Sequence, residues 1–140
     1  MVELDGGPGP MVPARYLVSR NEQLTSDTVT LALEPVDAAI AEPTPGQFTM
    51  LYAFPAGEAP ISVSGCPADE GTLRHTIRSA GAVTAALCTA PPGSMVGVRG
   101  PFGRGWSLDA ARSGDVVIVG GGIGLAPLRM LVRQVLAERE

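Results

Sequence analysis

The sequence predicts a mostly β chain: a small closed barrel of six short strands with one short helix, followed by a strand and helix of a different kind. Three observations carry that prediction. Six stretches of alternating or β-branched residues follow one another, and the turns between them draw on 18 glycines and 13 prolines in 140 residues. One alanine-rich stretch interrupts the series. Residues 111–140 then change character, to a continuous apolar run, a glycine turn and apolar residues at helical spacing. With 45% hydrophobic residues the chain can bury a real core.

Taken in order, residues 1–13 (MVELDGGPGPMVP) hold three glycines and three prolines and read as a mobile lead-in. Strands are expected over 15–20 and 28–34; in the second, Val29, Leu31 and Leu33 alternate with Thr30 and Ala32. A proline-rich loop over 35–46 leads to strands over 48–54, 60–64 and 72–78. Residues 81–90 (GAVTAALCTA) form the short helix, with Val83, Leu87 and Cys88 on one face and Pro91-Pro92 as its stop. The sixth strand covers 94–99. Closing six strands into a barrel removes exposed sheet edges.

Residues 115–120 (DVVIVG) suit a strand covered on both faces, as in a parallel sheet. A tight turn follows over 120–124, and Pro127 fits the first turn of a helix. Leu128, Leu131, Val132, Val135 and Leu136 then recur at helical spacing, leaving Arg129, Arg133 and Glu138 on the wet face. This strand and helix have no parallel neighbour to return to, so the chain reads as cut short.

Composition excludes several classes. A net charge of −4 and a pI near 4.9 argue against a nucleic-acid or anionic-membrane binder. All ten basic residues are arginines, which excludes a Schiff-base lysine and a Walker-type phosphate loop. The apolar run over 116–128 is too short and glycine-rich to span a bilayer. No apolar leader follows Glu3 and Asp5, so a cytoplasmic location is expected. Cys66 and Cys88 match no zinc or redox spacing and read as buried thiols. His75 reads as a plain strand histidine.

Four stretches are candidates for chemistry. VVIVGGGIGLAPLR (116–129) is a strand, glycine turn and helix start, an arrangement that receives a phosphate. It departs from GxGxxG, and a purely structural turn is an equal alternative. Gly81 to Thr84 (GAVT), with Arg78 upstream, offers backbone N–H groups and a hydroxyl to a pyrophosphate, or is an ordinary helix start. APISVSG (59–65) sets Ser62 and Ser64 on one strand face and Ile61 and Val63 on the other. GVRGPFGRGW (97–106) is a linker or a cofactor-side loop.

In order, PISVS, TIRSAGAVTAAL, GSMVGVRGPFGRGW and VVIVGGGIGLAPLR resemble the ferredoxin–NADP reductase superfamily. GQFTMLYAFPAGEAPISVSG (46–65) narrows the likeness to diaphorase-type electron-transfer subunits. These are the gamma subunit of NiFe hydrogenases and sulfhydrogenases, which looks most similar, the related subunit of anaerobic sulfite reductase, and the dihydroorotate dehydrogenase electron-transfer subunit. The likeness covers about residues 14–140, and only about the first half of a family member. It implies a six-stranded antiparallel Greek-key barrel binding FAD over 14–110, FMN being the less favoured flavin. Residues 111–140 would begin an α/β nucleotide-binding lobe for NAD(P).

The family's Arg-x-Tyr-Ser flavin strand maps onto Ala59, Pro60, Ile61 and Ser62, with Val63 next. Ser62 would lie near the reactive ring nitrogen and Ile61 would pack on the ring. Ala59 replaces the phosphate-binding arginine, for which Arg78 is the substitute. The neighbouring strand maps onto Thr76, Ile77 and Arg78. The pyrophosphate motif maps onto Gly81 and Thr84 with Val83 between them. The nicotinamide-side turn maps onto Gly121, Gly122, Gly124 and Pro127. No residue is expected to act as a general acid or base. The resemblance implies an NAD(P)H-linked electron-transfer flavoprotein whose nicotinamide passes hydride to flavin, which releases electrons to an iron–sulfur or hydrogenase-type subunit. The 140 residues alone would not run the whole reaction. A [2Fe–2S] centre is not expected in this chain, because such a cluster needs four ligands. A homodimer is one way to cover apolar surface. The alternative is a non-enzymatic barrel module that keeps the fold without the cofactor.

Overall fold

The structure is a computed structural model that describes residues 11–138. The expected lead-in over 1–13 therefore lies largely outside the described residues. Six strands form in chain order: β1 (Ala14–Gln23), β2 (Thr28–Pro35), β3 (Phe48–Ala53), β4 (Gly57–Ser62), β5 (Leu73–Arg78) and β6 (Met95–Phe102). They make one antiparallel sheet in the order β4-β3-β6-β1-β2-β5. Strand positions match the sequence expectation to within a few residues, except that β4 starts three residues before Pro60.

The barrel is not closed by a ladder, which corrects the expected closed barrel. β4 and β5 are the two ends of the sheet, and a single bridge between Gly65 and Arg74 crosses the seam. The reason is local. After Ser62 the chain turns into helix α1 (Pro67–Glu70), an element the sequence reading did not anticipate, so β4 ends before it can run alongside β5.

The inward faces build the core. Val29, Leu31 and Leu33 of β2, Leu73 and Ile77 of β5, Val96 and Val98 of β6, and Leu51 of β3 are all buried together. Each such side chain contributes roughly 1.5–3 kcal/mol when removed from water. Tyr16 joins them, and its hydroxyl accepts a hydrogen bond from Ile40 N–H at 2.8 Å, which anchors the proline-rich loop. Helix α2 (Ala82–Cys88) plugs one end of the barrel with Leu87. Asn21 Nδ2 closes its C-terminus by donating to the carbonyls of Cys88 and Ala90, both at 2.9 Å.

Two features of the last segment differ from expectation. Residues 115–120 form no strand, and Val117 and Val119 are 85% and 86% exposed. An extended run becomes a strand only by pairing, and no described strand lies beside it. Helix α3 (Leu125–Ala137) does form and buries Val135 of the expected face, but its other buried residues are Ala126 and Met130, while Leu128, Leu131 and Val132 are only half-buried. Leu136 stays exposed. Without a sheet to cover, the helix turns its buried face toward Ala126 and Met130, and Met130 enters the core cluster. Arg129 also leaves the expected wet face. Its Nη2 and Nη1 donate to the two carboxylate oxygens of Glu70 at 2.5 and 2.7 Å, and Nη1 donates to the Ser64 carbonyl at 2.8 Å. Arg133 Nη1 adds a bond to Glu70 at 3.2 Å. Gly65 makes room: a Cβ there would lie 2.0 Å from Glu70 Oε2.

Two tests follow from these contacts. His75 on β5 is fully buried, and burial pushes its pKa down from 6.5 to about 4. Above pH 6.5 the ring is neutral folded and unfolded, so it changes nothing. Below, the unfolded state takes up the proton first and stability falls. Denaturant unfolding should lose about 2 kcal/mol between pH 6.5 and 4.5, most of it above pH 5, where Glu70 is still mostly ionised both folded and unfolded. A flat profile would mean that the ring is hydrated. Glu70→Gln should speed amide exchange across Leu125–Ala137 by about tenfold while the strands keep their protection. Unchanged exchange in α3 would mean that Met130 alone holds the helix.

Candidate functional site

Two clefts adjoin where α3 meets the outside of the barrel. The smaller, about 270 Å³, is lined by Pro60, Ile61 and Ser62 of β4, Thr76, Ile77 and Arg78 of β5, and Ala80. Ile123, Ala126 and Pro127 close it from the other side. The larger, about 570 Å³, lies across Thr28 and Thr30 of β2, with Ser64, Arg74, Thr76 and Arg78, and is capped by Gly122, Leu125 and Arg129. Thr76, Arg78, Ile123 and Ala126 belong to both.

Strand alternation explains this lining. On β5, Leu73, His75 and Ile77 face inward, so Arg74, Thr76 and Arg78 face out. A hydroxyl chain runs over the outer face: Thr30 and Thr76 Oγ1 are 2.9 Å apart, and Thr76 Oγ1 donates to Ser64 Oγ at 3.1 Å. Among the described residues the Ser62 hydroxyl has no hydrogen-bond partner and Arg78 no ion pair within 4.0 Å. Arg78 is exposed, and its charge helps to hold the Asp27 carboxyl below its usual range, behind the hydroxyls of Thr28 and Thr25.

The predicted site residues divide three ways. Pro60, Ile61, Ser62, Thr76, Ile77, Arg78 and Pro127, drawn from three separate motifs, meet in the smaller cleft. Ile77 lines it although it is buried in the core. Gly122, with a positive φ of 53°, lines the larger cleft. Gly121 and Gly124 flank it in the same turn but line neither cleft. Val63 is buried in the core, and Val83 packs partly buried against it.

Gly81 and Thr84 also lie outside both linings, next to Ala80. Thr84 Oγ1 accepts from the N–H groups of Ala80 and Gly81 at 2.8 and 3.0 Å and donates to the Gly81 carbonyl at 3.1 Å. Its hydroxyl is thus committed to capping α2. Gly81 has an extended backbone, φ −173°, and a Cβ there would meet nothing within 4 Å. The fold itself does not need glycine at that position.

The sequence reading missed Ile123, Ala126 and Arg129 as lining residues, because their place depends on how α3 docks. Trp106, in the stretch read as a linker or cofactor-side loop, packs over Gly46, and its backbone N–H donates to the Pro45 carbonyl at 2.9 Å. Cys66 is a buried thiol whose pKa burial pushes up to about 11, too high for ready ionisation. No group of three or more His, Cys, Asp or Glu among the described residues is arranged to hold a metal. No described helix is long and apolar enough to cross a membrane.

No protein-family model matches the chain. Individual relatives do. The sulfhydrogenase 1 gamma subunit of Pyrococcus furiosus is 38% identical over 95 residues, 68% of this chain and 32% of that one. A probable dihydroorotate dehydrogenase B (NAD(+)) electron transfer subunit of Methanothermobacter thermautotrophicus is 38% identical over 97 residues, 69% and 35%. The chain thus matches about a third of each of these curated relatives. Among solved structures, phthalate dioxygenase reductase matches with a TM-score of 0.75 at 19% identity, over 89% of this chain and 40% of that one. The flavohemoglobin of Malassezia yamatoensis, solved with FAD and heme, matches with a TM-score of 0.76 at 23% identity, over 92% and 36%. At those identities the likeness is one of fold. By sequence the chain is homologous to about a third of the sulfhydrogenase gamma and dihydroorotate dehydrogenase B electron-transfer subunits, and its fold is that of the ferredoxin–NADP reductase-like structures.

Proposed function

We propose that this chain is the flavin-binding portion of an NAD(P)H-linked electron-transfer subunit, with FAD as its cofactor. The observation that carries the reading is the convergence of 60–62, 76–78 and Pro127 on one cleft. Residues far apart in sequence line it together, and an unengaged hydroxyl and a free guanidinium are among them. Bound there, a flavin would accept hydride from a nicotinamide and pass electrons on singly.

The chain's own residues divide the work. Ile61 supplies an apolar shelf for a flat ring, and Ser62 a hydroxyl at its edge. Arg78 supplies the positive charge for a phosphate that Ala59 cannot. Gly81 leaves open space beside the first turn of α2, and Thr84 keeps that turn in shape. Gly121, Gly122 and Gly124 form the turn that would face a nicotinamide. Residues 14–110 act as the flavin barrel and 111–140 as the opening of a nucleotide-binding lobe. In a longer protein, strands of that lobe would cover Val117 and Val119. The names of the relatives support redox partner subunits of the hydrogenase or dehydrogenase type; an iron–sulfur partner and a cytoplasmic location belong to the same proposal, and a second copy is the alternative cover.

Ala59 favours a second reading, a barrel module that keeps the fold without the cofactor. The visible absorption spectrum of the purified chain, taken after adding FAD and removing the excess, separates the two. Retained flavin absorbance supports the electron-transfer reading; a folded, colourless chain supports the module. In Gly81→Val the added Cβ meets no protein atom within 4 Å, so stability should fall by no more than about 1 kcal/mol, the cost of a poor helix N-cap. It should weaken FAD about tenfold and FMN less, because the added bulk meets the pyrophosphate. Arg78→Ala should weaken FAD by a similar factor and flatten its salt dependence. Unchanged affinity would remove Arg78 from the phosphate site.

A further inference from the structure

The end of β4 is held in an unusual way. Val63 N–H donates to the Gln47 carbonyl at 3.1 Å, which makes Phe48 and Ser62 a non-hydrogen-bonded pair. The Ser62 carbonyl therefore turns away from β3, toward the open seam. Beyond Ser62, backbone bonds cross that seam: Ser64 N–H to the Arg74 carbonyl and Arg74 N–H to the Gly65 carbonyl, both 2.8 Å. At Ser62 itself a side chain does the bridging. His75 Nδ1 lies 3.0 Å from the Ser62 carbonyl oxygen, and Nε2 lies 3.2 Å from Thr49 Oγ1 on β3.

The chemistry fixes the protons. A carbonyl only accepts, so Nδ1 carries the hydrogen. In the neutral ring Nε2 is then the acceptor, and the Thr49 hydroxyl donates to it. One fully buried ring ties β3, β4 and β5 together at the residue whose hydroxyl is unengaged in the smaller cleft. An apolar ring of the same size would fill the volume but leave the Ser62 carbonyl without a partner.

We propose that His75 is a positioning residue: its Nδ1–H bond to the Ser62 carbonyl fixes the end of β4, and so sets the Ser62 hydroxyl against the edge of the flavin. The role rests on the flavin reading above. It differs from core filling because it depends on one ring nitrogen and one tautomer.

Three variants of the full chain separate the two nitrogens. His75→Asn keeps an amide N–H near the Nδ1 position. His75→Gln carries its amide to the Nε2 position and loses Ser62. His75→Phe loses both bonds and keeps the volume. The readouts are amide exchange at Val63 and Ser64, and the affinity and visible band shape of added FAD. The Gln and Phe variants should exchange about tenfold faster at those amides, with β1, β2 and β6 unchanged. They should bind FAD about fivefold more weakly with an altered band, and the Asn variant should stay near wild type. An Asn variant as impaired as the Gln variant, or a Gln variant with wild-type exchange, overturns the proposal. A test without variants is the 15N spectrum of the wild-type ring: hydrogen on Nδ1 supports the role, and hydrogen on Nε2 alone refutes it. A wild-type chain that takes up no FAD brings down the flavin reading. Exchange and tautomer then decide separately whether His75 positions Ser62.

Discussion

The carboxylate of Glu70 is the point on which the arrangement of the site turns. Its side chain is only 10% exposed, and three arginines surround it: Arg129 and Arg133 from α3, and Arg74 from β5 with Nε at 3.6 Å. The Arg129 hydrogen bonds, ahead of the cost of burial, hold its carboxyl below the usual range, and the same bonds raise Arg129. Met130 supplies apolar burial for α3, but burial has no direction. The two-pronged guanidinium–carboxylate contact supplies the orientation. Ile123, Ala126, Pro127 and Arg129 reach the clefts only with the helix set at that angle. Gly65 belongs to the same constraint, since any side chain there would occupy the carboxylate's place.

The open seam between β4 and β5 is the second organising feature, and it lies under the proposed flavin edge. Where a closed barrel would use a continuous ladder, this one adds side chains to a single backbone bridge. His75 bridges on the inside and the Thr76–Ser64 hydroxyl pair on the outside. The strand end that carries Ser62 is therefore held firmly without being covered by another strand. A ring can lie against it, which a completed ladder would hinder.

Much of the fold was legible because it rests on local pattern. The alternation in β2 and the alanine-rich stretch before Pro91-Pro92 mark their elements without any tertiary knowledge. The convergence of Ser62, Thr76 and Arg78 was legible only through resemblance, because nothing in the spacing says that β4 and β5 meet at the ends of the sheet. Helix α1 escaped notice: four residues carry no periodicity, and Pro67 reads as easily as a turn. Residues 115–120 misled for the opposite reason. Their β-branched run has the composition of a buried strand, but pairing is a property of neighbours, and among the described residues there are none. The face of α3, right at Val135 but not at Leu136, and the role of Arg129 were misjudged in the same way. Helical spacing shows that a face exists; the surface that receives it decides which residues are buried.

The position of Trp106 has a consequence for following this molecule in solution. It is the chain's single tryptophan, stacked on Gly46 by the loop that enters β3, and it lines neither cleft. Its fluorescence is therefore a private signal of the barrel. Release of α3 from Glu70 would leave that emission unchanged, while loss of the strand framework would shift it to the red. The protein carries its own optical means of telling a detached helix from an unfolded domain.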